Sequence, residues 1–330
     1  MIRRREERPV VATREMARRR RRRRALVALG VGTAVVAGTG YGAWRFIDEN
    51  EYLLEERCSV SVGEQTHELT PEQTRSAAVL TAAAIDRELP PEAAVHAVAM
   101  SLQENELTAR QEDPEEAAAE EEAAAEDEET PEPEAEYFAR GGPQWETGRG
   151  QRQSTPTTVS EFFDLLEDSE EWNPDLGLDE SAELLERPHN PSFYPQHGDK
   201  ARAFVTPLAG QQPVDMSCEL SQLDVPEADP EGFAEELTSA FATTLGEDAA
   251  EISNDEVQVS VPETENGEDS QDLDPEWMLA HWAVAAARDY GIQTVAVGSY
   301  QWDRDDAAWQ RQDAHPEAGT VVVGFSRDGV

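Results

Sequence analysis

Glu104 stands where a carboxyl group could act as a general acid. It lies near the end of a segment in which Val95, Val98 and Leu102 recur at i, i+3 and i+7, the apolar stripe of a helix running from Pro91 to about Glu106. At 100° per residue, Glu104 falls about 20° to 40° around that helix from Ala97 and Met100, at the edge of an apolar face. Such a setting disfavours a charged carboxylate and favours the protonated form that general-acid catalysis requires. The alternative is a helix-end Glu facing water. Two cysteines, Cys58 and Cys218, are the other reactive pair. In an exported chain they suggest a disulfide, which in the chain-entropy model stabilises by roughly 4 to 5 kcal/mol for so long a loop; two buried free thiols are the other arrangement. The six histidines (His67, His96, His189, His197, His281 and His315) are scattered without ligand spacing, so neither a metal site nor a cofactor is expected.

The compartment follows from the N-terminus. Residues 1–24 hold twelve Arg against three Glu, a local charge of +9, and Ala25 to Trp44 is twenty residues without a charge. About twenty apolar residues are what a helix needs to cross the hydrocarbon core. The arginines place the tail in the cytoplasm and everything beyond residue 47 outside, with Tyr41 and Trp44 suited to the outer interface. The expectation is a signal-anchor over residues 25–47; a cleaved signal peptide is the alternative, and either exports the rest. Gly38 and Gly42 give the span a small-xxx-small spacing that would suit a homodimer. Beyond residue 24 the chain carries 15 basic against 67 acidic residues, a charge of −52, which argues against nucleic acid as a partner. So dense a carboxylate surface suits strong salt, where repulsion between like charges is screened.

The exported part needs elements that hold Glu104 in place. Thr70-Pro71-Glu72-Gln73 combines an N-cap, a first-turn proline and a capping-box Gln, predicting a helix to about Glu88. Residues 112–136 contain fourteen acidic residues and no basic one, so 110–136 is expected to be a solvated, disordered insertion. Thr158 and Glu161 form another capping box, opening a helix with Phe162, Leu165 and Leu166 inward. Further helices are expected over about 180–186 and from His197 to Gly210. After a Pro- and Asp-rich linker near 222–230, Phe233, Leu237, Phe241 and Leu245 form an i, i+4 stripe, and Val257, Val259 and Val261 alternate as a strand. A second acidic loop spans about 263–274. Asp274-Pro275 then opens a helix to Gly291, followed by strands at 292–297 and 320–325. The fold class expected is α+β, with domains at 48–221 and 222–330.

Several strings in this order, EYLLEERC (from Glu51), HELTPEQ (from His67), SLQENEL (from Ser101), YPQHGDKARA (from Tyr194), SCEL (from Ser217) and LAHWAVAAARDYGIQTV (from Leu279), resemble a family of actinobacterial membrane-anchored envelope proteins, sometimes labelled heavy-metal transporters. The resemblance covers nearly the whole chain. It implies a mainly α, lysozyme-like domain followed by a smaller α+β domain like the D-alanyl-D-alanine carboxypeptidase and hedgehog zinc peptidases. It also implies that Glu104 occupies the position of the acid that protonates a glycosidic oxygen. Relatives line their sugar cleft with a Gly-Leu-Phe-Gln-Gln-Arg-like segment, of which Phe138 and Trp145 are the counterparts here; the rest is replaced by the acidic insertion. Pro207 interrupts a helix that is continuous in relatives. The zinc triad of the second domain has no counterpart, since 251–261 supplies no His and the last strand reads TVVVGF. His281 and Trp282 read as packing residues.

With both hydrolase-like sites depleted, the function expected is a non-catalytic, membrane-anchored protein that binds or scaffolds at the cell wall, with peptidoglycan as the partner. The alternative is a lytic transglycosylase acting through Glu104. A cation-responsive protein is a third class, but the acidic runs lack the spacing of a calcium loop.

Overall fold

The computed structural model describes residues 56–109, 135–140, 155–212, 216–222, 225–246, 249–253, 255–262, 273–313 and 315–325. The tail, the expected span, Trp145 and nearly all of the acidic insertion lie outside the described residues. Among those described, no helix is long and apolar enough to cross a membrane.

The chain enters as a hairpin, β1 (Arg57–Val62) and β2 (Gln65–Leu69), closed over Gly63 with φ +63°. Gly there adopts the left-handed conformation at no Cβ cost. Two helices follow, α1 (Pro71–Asp86) and α2 (Pro91–Asn105). Helix α1 starts with the capping box expected of Thr70 and Gln73, both reciprocal bonds being 3.1 Å. Helix α2 buries every residue from Ala93 to Ser101 and stops at Glu106 in the left-handed region. A two-stranded ribbon, β3 (Glu136–Arg140) and β4 (Thr155–Thr158), leads into α3 (Val159–Glu167), capped by Thr158 and Glu161 as predicted. Then come α4 (Leu178–Leu184), a 3₁₀ helix (Pro191–His197) and α5 (Gly198–Leu208). Pro207 lies inside the last turn of α5, which ends one residue later. Strand β5 (Met216–Glu219) returns to β1 and sets Cys218 directly opposite Cys58. The two form the disulfide, joining positions 160 residues apart.

The C-terminal part is built from α6 (Pro230–Ala240), a single-turn α7 (Ala242–Leu245), β6 (Ala250–Ser253), β7 (Glu256–Ser260), α8 (Pro275–Tyr290), β8 (Thr294–Val297), β9 (Tyr300–Asp303), β10 (Ala308–Arg311) and β11 (Thr320–Gly324). The expected stripe from Phe233 to Leu245 is broken at Phe241 (φ −126°, ψ 35°). Asp86 causes part of this break, since its carboxylate accepts the Thr243 and Thr244 N–H groups at 2.8 and 3.2 Å and so caps the new turn. The strands form one antiparallel sheet in the order β10-β9-β8-β11-β7-β6. Val257, Val259, Val295, Val297, Val321 and Val323 are all buried, whereas Glu256, Gln258 and Ser260 between them are exposed, the alternation of a sheet covered on one face. Helix α8 covers it, packing on β8 and β11, and its other side meets α1 and α5, so packing is continuous across residue 222.

Arg304, 1 % exposed, fastens this layer. Its guanidinium donates to the carbonyls of Ala287 and Ile292 at 2.9 and 3.1 Å and to that of Ser221 at 3.3 Å, satisfying groups near the α8 terminus. The secondary structure is α+β, as the sequence indicates.

Candidate functional site

Gln103 and Glu104 point in different directions because successive helical residues diverge by about 100°. The Glu104 side chain is 0 % exposed although its backbone touches solvent. Its carboxylate accepts from Arg187 Nε at 2.8 Å, from Arg187 Nη2, and from the Tyr194 hydroxyl at 3.1 Å. Arg187 is brought there by the end of α4. Glu186 turns into the left-handed region (φ 50°), and the Arg187 N–H donates to Ala182 O at 2.9 Å, so the chain reverses and the guanidinium enters the core at 3 % exposure. Tyr194 comes from the 3₁₀ helix and is itself held by the His189 N–H at 3.3 Å.

Phe138 and Phe162 complete the surroundings. Their rings stack at 4.2 Å and 8°, and the Arg187 guanidinium lies 5.4 and 5.5 Å from the two ring centres. Phe138 is fully buried, so of the two residues expected to face a sugar, this one faces the ion pair; Trp145 lies outside the described residues. Burial alone would lower the Arg187 pKa, but Glu104 outweighs it and holds the guanidinium above its ordinary value. Burial, reinforced by the Glu104 charge, pushes the Tyr194 phenol well above the usual range, so it stays a neutral donor. A general acid must carry a proton and reach the leaving oxygen. Here both carboxylate oxygens already accept hydrogen bonds, and no edge of the side chain meets solvent.

The second half offers His281, fully buried on α8. Its Nδ1 lies 2.9 Å from Pro207 O, which only accepts, so Nδ1 carries the proton and Nε2 is a bare acceptor. That Nε2 is buried without a partner among the described residues, and burial lowers the imidazole pKa to about 4. Pro207, in the last turn of α5, thus has its carbonyl engaged by a histidine of the second half. His96 is similar: Trp172 Nε1 donates to its Nδ1 at 3.2 Å, and burial, followed by the Arg202 charge, takes its pKa to about 4. Among the described residues no three His, Cys, Asp or Glu side chains converge to hold a metal ion.

Between the halves, Arg75 of α1 stacks 4.4 Å over Trp282 of α8 and pairs with Glu236 and, at 3.7 Å, with Asp289. A surface pocket of about 430 Å³ lies beside this cluster, with Tyr137 and Glu236 at its margin together with Arg87. Its charged groups already have partners: Arg87 bridges Asp164 and Glu167 at 2.7 and 2.8 Å, and Glu236 holds Arg75 and the Tyr290 hydroxyl.

Sequence reading singled out Glu104, Phe138, Cys58 and Cys218, and the structure brings each pair together: Cys58 with Cys218, and Glu104 with Phe138 through Arg187. It missed Arg187 and Tyr194, which carry no periodic signal because they meet Glu104 from 83 and 90 residues away. No protein-family model, curated protein or solved structure matches the chain.

Proposed function

We propose that this chain is a single-pass, membrane-anchored envelope protein, N-terminus in the cytoplasm and residues beyond 47 outside, that binds or scaffolds at the cell wall without cleaving it. The basic tail and uncharged run at 25–44 support the topology, and the string resemblance supports the setting: a lysozyme-like part up to residue 221 and a zinc-peptidase-like part from 222. The observation that carries the non-catalytic reading is the Glu104 carboxylate, wholly buried and committed to Arg187 and Tyr194. A buried charge with its counter-charge in place is a structural arrangement, and freeing it to meet substrate would break its ion pair with Arg187.

The test incubates the full-length chain, in mild detergent, with purified insoluble peptidoglycan, and measures both retention on the pellet and soluble anhydro-sugar fragments. Retention without fragments is expected. Fragments released by the wild type and abolished in Glu104→Gln would replace this reading with that of a lytic transglycosylase.

A further inference from the structure

We propose that the free edge of β6 accepts an extended segment of a basic partner protein as an added strand of the C-terminal sheet. The inference is independent of the wall-binding reading and concerns a different surface. Strand β6 ends the sheet order, with β7 on one side and no strand on the other among the described residues. The ladder fixes which of its backbone groups are spare. The Ser260 N–H donates to Ala249 O at 2.8 Å, and the register sets Ala250 opposite Val259, Glu251 opposite Gln258, Ile252 opposite Val257 and Ser253 opposite Glu256. In an antiparallel pair, hydrogen-bonded and non-hydrogen-bonded positions alternate. Residues 249, 251 and 253 therefore bond to β7, whereas the N–H and C=O groups of Ala250 and Ile252 point off the sheet. Among the described residues none of these spare groups has a hydrogen-bond partner.

Sheet edges are ordinarily blunted by charge, proline or a bulge. Here the two residues with spare backbone groups are Ala and Ile, the register is unbroken, and Ile252 is 41 % exposed. The opposite edge is closed by β5: Trp309 of β10 donates through Nε1 to Met216 O at 2.8 Å, and Ser217 Oγ donates to Ala307 O at 2.6 Å. Side-chain alternation specifies the occupant of the open edge. Ile252 continues the row of Trp302, Val295, Val323 and Val257 on the face that α8 covers, while Glu251 lies on the other face, which it shares with Glu256. On an added antiparallel strand, the residues that bond Ala250 and Ile252 fall on the covered side, where Ile252 favours apolar neighbours. The residue between them stands opposite Glu251 at a Cα separation of about 4.5 Å. Glu251 and Glu256 are exposed, and neither has a cation within 4.0 Å among the described residues, so a basic side chain fits there. A second copy of the chain fits this edge poorly. Pairing Ala250 with Ile252 of a copy sets the two Glu251 carboxylates face to face, and centring on Ala250 carries Ile252 past the strand. Centring on Ile252 avoids both, yet brings together two chains of formal charge −43.

The experiment titrates the full-length chain, in non-ionic detergent and about 0.15 M sodium chloride, into a fluorescein-labelled peptide Thr-Val-Arg-Val-Arg-Thr and follows anisotropy. That peptide is expected to bind at least about tenfold more tightly than Thr-Val-Glu-Val-Glu-Thr, and than Thr-Val-Val-Arg-Arg-Thr, which keeps the charge and loses the alternation. N-methylating both valines removes the N–H groups that face β6 and should weaken binding at least about tenfold, whereas N-methylating both arginines should leave it within about twofold. Ile252→Pro removes an outward N–H without touching the ladder to β7 and should weaken binding at least about fivefold, and Glu251→Gln about threefold. Absence of binding, equal binding of the rearranged peptide, or methylation of the valines that costs no more than methylation of the arginines overturns the proposal. The methylated peptides decide on the wild type, whether or not Ile252→Pro folds. A chain that binds no peptide but dimerises, and becomes monomeric on Ile252→Pro, gives the edge to a second copy and overturns the basic partner.

Discussion

Replacing Glu104 with Gln keeps the side-chain shape and removes one charge. The Arg187 guanidinium, 3 % exposed and backed by Phe138 and Phe162, then loses its ion pair with Glu104. The Gln amide also places an N–H₂ donor where Arg187 or Tyr194 now donates, so one of the three bonds becomes a donor–donor clash. Breaking one side of a buried pair costs about 3 to 5 kcal/mol. With a urea m-value of about 2.5 kcal/mol/M, that lowers the unfolding midpoint by about 1 to 2 M. Removing both charges, as Glu104→Gln with Arg187→Met, should recover most of the loss, because neither half of the pair is left behind and the stem of Arg187 is replaced by a residue of similar volume. The cycle of wild type, two single variants and the double variant therefore predicts a coupling of at least about 2 kcal/mol. A Glu104→Gln protein within about 0.5 kcal/mol of wild type would refute the reasoning, since it would mean that Glu104 does not hold Arg187.

Stability should also fall in mild acid. His96 and His281 have folded pKa values of about 4 against about 6.5 unfolded, so the fold favours their neutral forms; their contribution is complete above about pH 6.5 and is lost as pH falls through 4. Between pH 7 and 5 the two together account for about 3 to 4 kcal/mol; Asp289, whose carboxyl burial raises, works in the opposite direction. Urea titrations at the two pH values should show His281→Asn, which keeps a donor for Pro207 O, losing about half of that pH dependence; an unchanged slope would contradict the assignment. Reducing the Cys58–Cys218 bridge, or replacing both cysteines with Ala, should cost about 5 kcal/mol by the chain-entropy model for a 160-residue separation, read as a lower thermal midpoint, and no change would mean that β1 and β5 stay paired without it. Molar sodium chloride should raise the unfolding midpoint of a chain whose formal charge is −43, and a midpoint independent of salt would remove carboxylate repulsion from the account.

What the sequence made legible was local. Helix α1, α3 and α8 begin at Thr70, Thr158 and Asp274 because each cap is written within four residues, and all three caps are formed. The hairpin β9–β10 was also written in the sequence, as the alternation of Tyr300, Trp302 and Trp309 with polar neighbours, but its four-residue strands are too short to stand out. The same holds for β1 and β2 around Gly63. The break at Phe241 was hidden because its cause, Asp86, belongs to another helix. The candidate site was half legible: helical periodicity put Glu104 at the edge of an apolar face, and only tertiary structure decides whether such an edge meets solvent or a guanidinium. Arg187 follows a left-handed Glu186 that no sequence rule demands, so the residue that settles the environment of Glu104 could not be read beforehand.

The most direct test of the central claim is the appearance of soluble anhydro-sugar fragments when the full-length wild-type chain meets purified peptidoglycan. The account predicts that the protein is retained on the insoluble wall and releases no fragments over background. Fragment release that disappears on Glu104→Gln would contradict it.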